Sequence, residues 1–143
     1  MPQVTGLLES AVFVGDLERA RDFYRRIFRL VELEASEDGC VLVIAKGQLL
    51  LLVSEAKATV ASRTPGGTVP PCLDAPGKAV GAGHIAFSVA AADLDAWRAH
   101  LKSEGVPLES EVAWPAGARS LYFRDPDGHL LELATAGLWG LDW

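Results

Sequence analysis

The candidate ligands for a divalent metal ion in this 143-residue chain are Glu9, His84 and Glu132. Glu132 stands between two leucines in an apolar segment, and a lone buried carboxylate is costly unless it is paired, protonated or bound to a cation. One histidine and two glutamates can hold a divalent ion while leaving coordination positions open. Two carboxylates favour Mn²⁺, Fe²⁺ or Mg²⁺, with Zn²⁺ and Ni²⁺ as further candidates.

Glu9 and His84 occupy the same place in an internal repeat. Residues 9–14 and 84–89 are both short, strand-like runs, and residues 48–54 overlay residues 129–135. The repeat predicts two modules at about residues 7–54 and 82–135, followed by a tail over residues 136–143. A pseudo-twofold arrangement of the modules would bring Glu9 and His84 to facing positions on one curved sheet.

The elements that must position these residues follow from hydrophobic periodicity. Helices are predicted over residues 17–28 and 94–104, where apolar residues recur at helical spacing after Asp16 and Asp93. Alternating or apolar runs predict further strands over residues 31–34, 40–45, 49–54, 109–113, 120–124 and 129–134. This order predicts an α+β fold made of two tandem βαβββ modules.

The proline- and glycine-rich stretch over residues 55–81 belongs to neither module. A connection of this length is often functional, so it could be a lid over a pocket, although a simple tether explains it equally well.

Other residues are candidates for contacting a small-molecule ligand. Ser120 and Tyr122 share one face of the penultimate strand, and Phe13 shares a face with Glu9. Trp114 could form a pocket wall, and Arg63 in the linker could reach an anionic group. Edge packing of Trp114 and a solvated Arg63 are the alternative interpretations.

Composition excludes several classes of partner. The net charge of −6 argues against a nucleic acid, because phosphate backbones select for an excess of Lys and Arg. No apolar run approaches the roughly 20 residues that a membrane helix needs, and the N-terminus lacks the pattern of a signal peptide. Cys40 and Cys72 have no metal-type spacing. We therefore expect a cytoplasmic protein with free thiols.

Three segments resemble the vicinal oxygen chelate superfamily, which includes glyoxalases, fosfomycin- and bleomycin-resistance proteins and extradiol dioxygenases. They are DLERARDFY at residues 16–24, HIAFSV at 84–89 and SLYFRDPDGHLLEL at 120–133. The resemblance implies that the two modules form an open, cupped mixed sheet with metal ligands on its inner face. It assigns ligand roles to Glu9, His84 and Glu132.

The resemblance also sets limits on the activity. Metal-binding members more often have histidine where this chain has Glu9, and Leu51 stands where glyoxalase I-like members have a fourth ligand. The three-ligand set is more similar to the fosfomycin-resistance and dioxygenase branches.

Two functions follow from these observations. The first is a metal-dependent enzyme acting on a small oxygen-chelating metabolite or xenobiotic, with Glu132 also able to act as a general base. The second is a metal-free protein that sequesters a small cationic or aromatic molecule, as bleomycin-resistance-like members do. The resemblance and the tryptophan-containing tail at residues 138–143 further predict a homodimer.

Overall fold

The computed structural model describes residues 3, 6–73, 83–115 and 117–137. The chain divides into two compact units, Met1–Gly81 and Ala82–Trp143. The predicted docking of residues 138–143, and the part of the predicted lid at residues 74–81, lie outside the described residues.

Unit 1 is a four-stranded mixed sheet with one long helix. Its elements are β1 (Glu9–Val14), α1 (Leu17–Phe28), β2 (Val31–Ala35), β3 (Gly39–Ala45), β4 (Gln48–Ser54), α2 (Glu55–Ala58), β5 (Ser62–Thr64) and β6 (Gly67–Val69). The main sheet has the order β1-β4-β3-β2, in which β1 and β4 are parallel, and β5 and β6 form a separate hairpin.

The limits of α1 have local causes. The Asp16 carboxylate accepts a hydrogen bond from the Arg19 amide at 3.0 Å, which satisfies one free donor of the first turn. The helix ends at Arg29, whose φ of 54° is left-handed. Between these ends, α1 buries one face, formed by Ala20, Phe23, Tyr24 and Ile27.

Unit 2 repeats this arrangement. Its elements are β7 (His84–Ser88), a 3₁₀ turn (Ala91–Asp93), α3 (Leu94–Ser103), β8 (Ser110–Ala113), β9 (Arg119–Arg124) and β10 (Leu130–Ala134). The sheet order is β7-β10-β9-β8, and β7 and β10 are parallel. The register repeats as well, because Glu9 pairs with Leu49 in unit 1 just as His84 pairs with Leu130 in unit 2.

The predicted α+β fold with two βαβββ-type units is therefore confirmed, with two local differences. Asp93 does not cap α3 with its side chain, because the preceding residues form a 3₁₀ turn that places Asp93 in a helical conformation. The described part of the linker, residues 55–73, also contains a short helix and a hairpin that were not predicted. Ser54 caps α2 through a 3.3 Å bond from the Lys57 amide, and the Thr64 hydroxyl donates to the Gly67 carbonyl at 2.9 Å in the hairpin.

Each unit ties its long helix to its edge strand with an arginine. In unit 1, the Arg21 guanidinium forms two hydrogen bonds with Glu32, at 2.5 and 2.7 Å, and a further one with Glu18. These hydrogen bonds from Arg21 hold the pKa of Glu32 below its usual range.

In unit 2, Arg98 on α3 pairs with Asp95 and with Glu111 on β8, and the hydrogen bond from Arg98 likewise lowers the pKa of Glu111. We call these two groups the helix clasps. Within the described residues, no helix is both long and apolar enough to cross a membrane.

Candidate metal centre

Glu132 lies in the middle of β10 and is only 4% exposed. Its Oε1 atom accepts hydrogen bonds from the Ser120 hydroxyl at 2.5 Å and from the Tyr122 hydroxyl at 2.9 Å. Both donors come from β9, where Tyr122 is the register partner of Glu132 and Ser120 lies two residues away on the same face. Burial, and then the hydrogen bond to Glu132, raise the pKa of Tyr122.

The other carboxylate oxygen of Glu132 faces His84. The distance from Glu132 Oε2 to His84 Nε2 is 3.2 Å, and the imidazole is about half exposed, at 48%. His84 Nδ1 lies 3.0 Å from the Leu130 carbonyl oxygen. A carbonyl oxygen only accepts hydrogen bonds, so Nδ1 carries the proton and Nε2 presents a lone pair whenever the ring is neutral.

Trp114 supports the carboxylate through Ser120. The indole Nε1 donates to Ser120 Oγ at 2.9 Å, although the side chain of Trp114 is 36% exposed overall. Because the serine oxygen accepts from the indole, its single proton is directed to Glu132 Oε1. A relay from Trp114 through Ser120 to Glu132 thus occupies Oε1 and leaves Oε2 facing the imidazole.

These donors fit a divalent ion. Two neighbouring ligands at right angles, each about 2.1 Å from a metal, lie about 3 Å apart, close to the distance between Oε2 and Nε2. Metal-binding histidines usually donate their second ring N–H to a carbonyl or carboxylate, and metal-binding carboxylates are themselves hydrogen-bonded. His84 has the first feature and Glu132 the second.

His129, by contrast, has a structural role. It is almost fully buried, and its Nδ1 accepts a hydrogen bond from the Gly83 amide at 2.9 Å. The Gly83 carbonyl in turn accepts from the Leu130 amide. His129 therefore fixes the backbone immediately before His84.

The remaining predicted site residues belong to unit 1. Glu9 is exposed at the start of β1, Phe13 is half-buried on the same strand, and Arg63 is exposed on β5. Among the described residues within each unit, no three His, Cys, Asp or Glu side chains gather in an arrangement that could hold a metal. Unit 2 brings together two of the three predicted ligands, together with Ser120, Tyr122 and Trp114.

The contribution of Leu130 was not predicted from the sequence, because it is made by the backbone carbonyl and not by the side chain. The repeat offered one signal for it. In a parallel pair, the first residue of one strand lies beside the first residue of the other. The strand that begins at His84 therefore has its start beside the start of the strand that begins at Leu130.

The chain matches a family model and is similar in sequence to characterised proteins. The model of the Glyoxalase/Bleomycin resistance protein/Dioxygenase superfamily matches residues 6–133. A metallothiol transferase FosB of Shouchella clausii is 29% identical over 138 residues, covering 94% of this chain and 83% of that protein. The fosfomycin resistance protein FosX of Listeria innocua is 27% identical over 142 residues, covering 94% and 92%.

Solved structures of proteins with related names are also similar to this chain. The lactoylglutathione lyase of Agrobacterium tumefaciens superimposes with a TM-score of 0.82 at 28% identity, covering 98% of this chain and 100% of that one. FosX of Listeria monocytogenes superimposes with a TM-score of 0.68 at 24% identity, covering 96% and 98%, and so supports the fold alone.

Proposed function

Because this chain belongs to the Glyoxalase/Bleomycin resistance protein/Dioxygenase superfamily, we propose that it is a divalent-metal-dependent enzyme. Its substrate would be a small metabolite or xenobiotic with oxygen atoms that can chelate the ion. The relatives named as a metallothiol transferase and as fosfomycin resistance proteins support this class of activity.

The observation that carries the proposal is the approach of Glu132 Oε2 to His84 Nε2 at 3.2 Å. With the Nδ1 proton held by the Leu130 carbonyl, a neutral imidazole turns a lone pair toward a carboxylate lone pair. Such a pair needs a positive charge between its two atoms. We propose that a divalent ion supplies it, with Glu9, the repeat equivalent of His84, as the third ligand.

Once bound, such an ion would polarise a substrate oxygen as a Lewis acid. The side chains around it divide the remaining work. Ser120 and Tyr122 hold Oε1 of Glu132, so any proton transfer by this carboxylate would fall to Oε2 when it exchanges from the ion. Phe13 and Arg63 stay proposed substrate contacts, the first through apolar packing and the second through its charge.

A metal-free binding protein is the second candidate function. The same pair of atoms, at the same distance, suits an imidazolium–carboxylate ion pair, in which a proton takes the place of the metal. In that case the protein would sequester a small molecule without transforming it.

Metal binding separates the two functions. Untagged protein is purified and its metal content is measured, and the melting temperature is then followed during a Mn²⁺ titration. The enzyme proposal expects an increase that grows with Mn²⁺ concentration, because a ligand of the native state stabilises it by mass action.

His84→Ala should abolish this increase, and His100→Ala, which removes a histidine on α3, should keep it. If no divalent ion shifts the melting temperature of the wild type, the binding-protein function replaces the enzyme.

The reaction is tested on substrates that the relatives' names suggest. Metal-loaded protein is incubated with fosfomycin, with and without a thiol, and separately with lactoylglutathione, while NMR follows the loss of each compound. Turnover of any one of them by the wild type, and not by Glu132→Gln, would identify the reaction. Metal binding without turnover would mean that the enzyme acts on another chelating substrate.

We also propose a homodimer in the cytoplasm, as in many members of the superfamily. Light scattering at micromolar concentration should give twice the chain mass of 15.2 kDa. A single species at the monomer mass would contradict the dimer.

A further inference from the structure

Unit 1 contains a cavity of about 280 Å³ that sequence analysis did not anticipate. Its walls come from β3, β4, the segment around α2 and the β5–β6 hairpin, and most of the lining is apolar, including Val41, Leu51, Val53, Ala58 and Val69. Both cysteines also line it; Cys40 is buried and Cys72 is exposed.

The cavity corresponds in part to the candidate metal centre of unit 2, because its lining includes the β3 and β4 positions that are equivalent to the β9 and β10 positions of the centre. In unit 2, β10 pairs with β9 through Glu132–Tyr122 and Ala134–Ser120. In unit 1, the equivalent β4–β3 pairs are Leu51–Val41 and Val53–Gly39.

Three polar side chains of the centre thus have counterparts without polar groups in the lining, as Leu51 stands for Glu132, Val41 for Tyr122 and Gly39 for Ser120. The counterpart of His84 is Glu9, which is not part of the lining. At Gly39 an added side chain would force the strand backbone to shift, because its Cβ would lie 2.7 Å from the Leu52 carbonyl oxygen.

These differences between the two units change which ligands the cavity in unit 1 can bind. Apart from the Cys40 thiol, the lining has no buried polar side chain, and this disfavours charged and strongly polar ligands, which would lose hydration without compensation. The charged residues of the lining, Glu34, Asp38 and Lys57, include two exposed carboxylates that would also repel an anion. An apolar protein cavity of roughly 150 Å³ accommodates benzene, so about 280 Å³ suits two fused rings.

We propose that the unit 1 cavity is a binding site for an uncharged apolar group of about the size of naphthalene. The proposal does not depend on metal binding in unit 2, because every residue that carries it lies between Glu34 and Cys72.

Cys72 provides the measurement. Because Cys40 is buried, and burial raises the pKa of its thiol, a disulfide reagent added to native protein should modify Cys72 first. A ligand in the cavity covers Cys72 and slows this reaction. We expect naphthalene to slow the modification in proportion to its occupancy, by about tenfold at ten times its dissociation constant. Naphthalene-2-sulfonate, an anion of the same shape, should give no protection.

Two variants test the location. Leu51→Glu restores to the cavity wall the charge that its repeat equivalent carries, and Val69→Trp fills the mouth from an exposed hairpin position that tolerates a large side chain. Both should lose the protection by naphthalene. Leu49→Glu is the matched control, since it adds the same charge on the same strand face, outside the lining, and should keep the protection.

Circular dichroism checks that each variant is folded. If Leu51→Glu does not fold, the result for Val69→Trp tests the location of the site. Absence of protection in the wild type, or protection that persists in folded Leu51→Glu or Val69→Trp, would overturn the proposal. Failure of Mn²⁺ binding in the same preparations would count against the metal-dependent enzyme and leave this result unaffected.

Discussion

Replacing Glu132 with glutamine should make the metal-free protein more stable and, at the same time, remove its response to metal. The amide oxygen of glutamine can keep the place of Oε1 and accept from Ser120 and Tyr122. The amide nitrogen then stands where Oε2 faces His84 Nε2 at 3.2 Å. At pH 8, where a histidine is ordinarily neutral, two opposed lone pairs become an N–H···N hydrogen bond.

The size of both effects can be worked out. A neutral hydrogen bond contributes about 1 kcal/mol net, which corresponds to about 3 °C in melting temperature for a chain of this length. In the wild type, Mn²⁺ at a hundred times its dissociation constant should add about 2.7 kcal/mol, or about 5–10 °C. The variant should melt about 3 °C above the wild type in EDTA and gain almost nothing from Mn²⁺.

Differential scanning calorimetry in EDTA and in Mn²⁺ measures both quantities on the same samples. Glu37→Gln is the control, because it removes a charge from an exposed turn and should leave the metal response intact. A variant that melts below the wild type in EDTA at pH 8 would refute the reasoning. It would mean that the wild-type pair is an imidazolium–carboxylate ion pair, as a metal-free binding protein requires.

Three further predictions concern the scaffold. Arg21 lowers the pKa of Glu32, so the stabilisation from their pairing is complete above the usual glutamate range and decreases as the pH falls through the lowered pKa. Arg21→Gln should therefore reduce the stability to urea at pH 7 but much less at pH 3. His129→Ala should cost about 1–3 kcal/mol in urea unfolding, because it leaves the Gly83 amide without its acceptor in a part-buried hydrogen bond; equal stability would contradict its structural role. Gly39→Ala should cost about 1–3 kcal/mol, since the added carbon would lie against the Leu52 carbonyl; a neutral effect in thermal unfolding would show that the sheet can yield there.

The fold could be predicted because its main elements carry strong local signals. The apolar stripe and the capping Asp16 define α1, and its predicted range agrees with Leu17–Phe28. The two repeats also have the register that their alignment requires. In contrast, α2, β5 and β6 have only three or four residues each, too few to show a period.

The candidate site could be predicted only in part. Strand alternation placed Ser120 and Tyr122 on one face but could not say which face, and the structure turns both toward Glu132. The bond from Trp114 to Ser120 depends on how the chain between β8 and β9 folds back, which no periodic pattern encodes. The cavity could not be predicted either, because it exists where side chains are small or absent, and short elements outside the repeat close it.

The helix clasps bear on how such a protein can evolve. Each one joins residues that are close in sequence, since Arg21 and Glu32 are 11 residues apart and Arg98 and Glu111 are 13 apart. Contacts of such short range form quickly during folding and need nothing from the other unit. One half of a gene encoding this chain could therefore be replaced by the corresponding half of a related gene. The new half would encode its own helix clasp. The residues that hold each unit together can thus be conserved while the residues of the site change. Leu51 and Glu132, which occupy the same position in the two repeats, differ in this way.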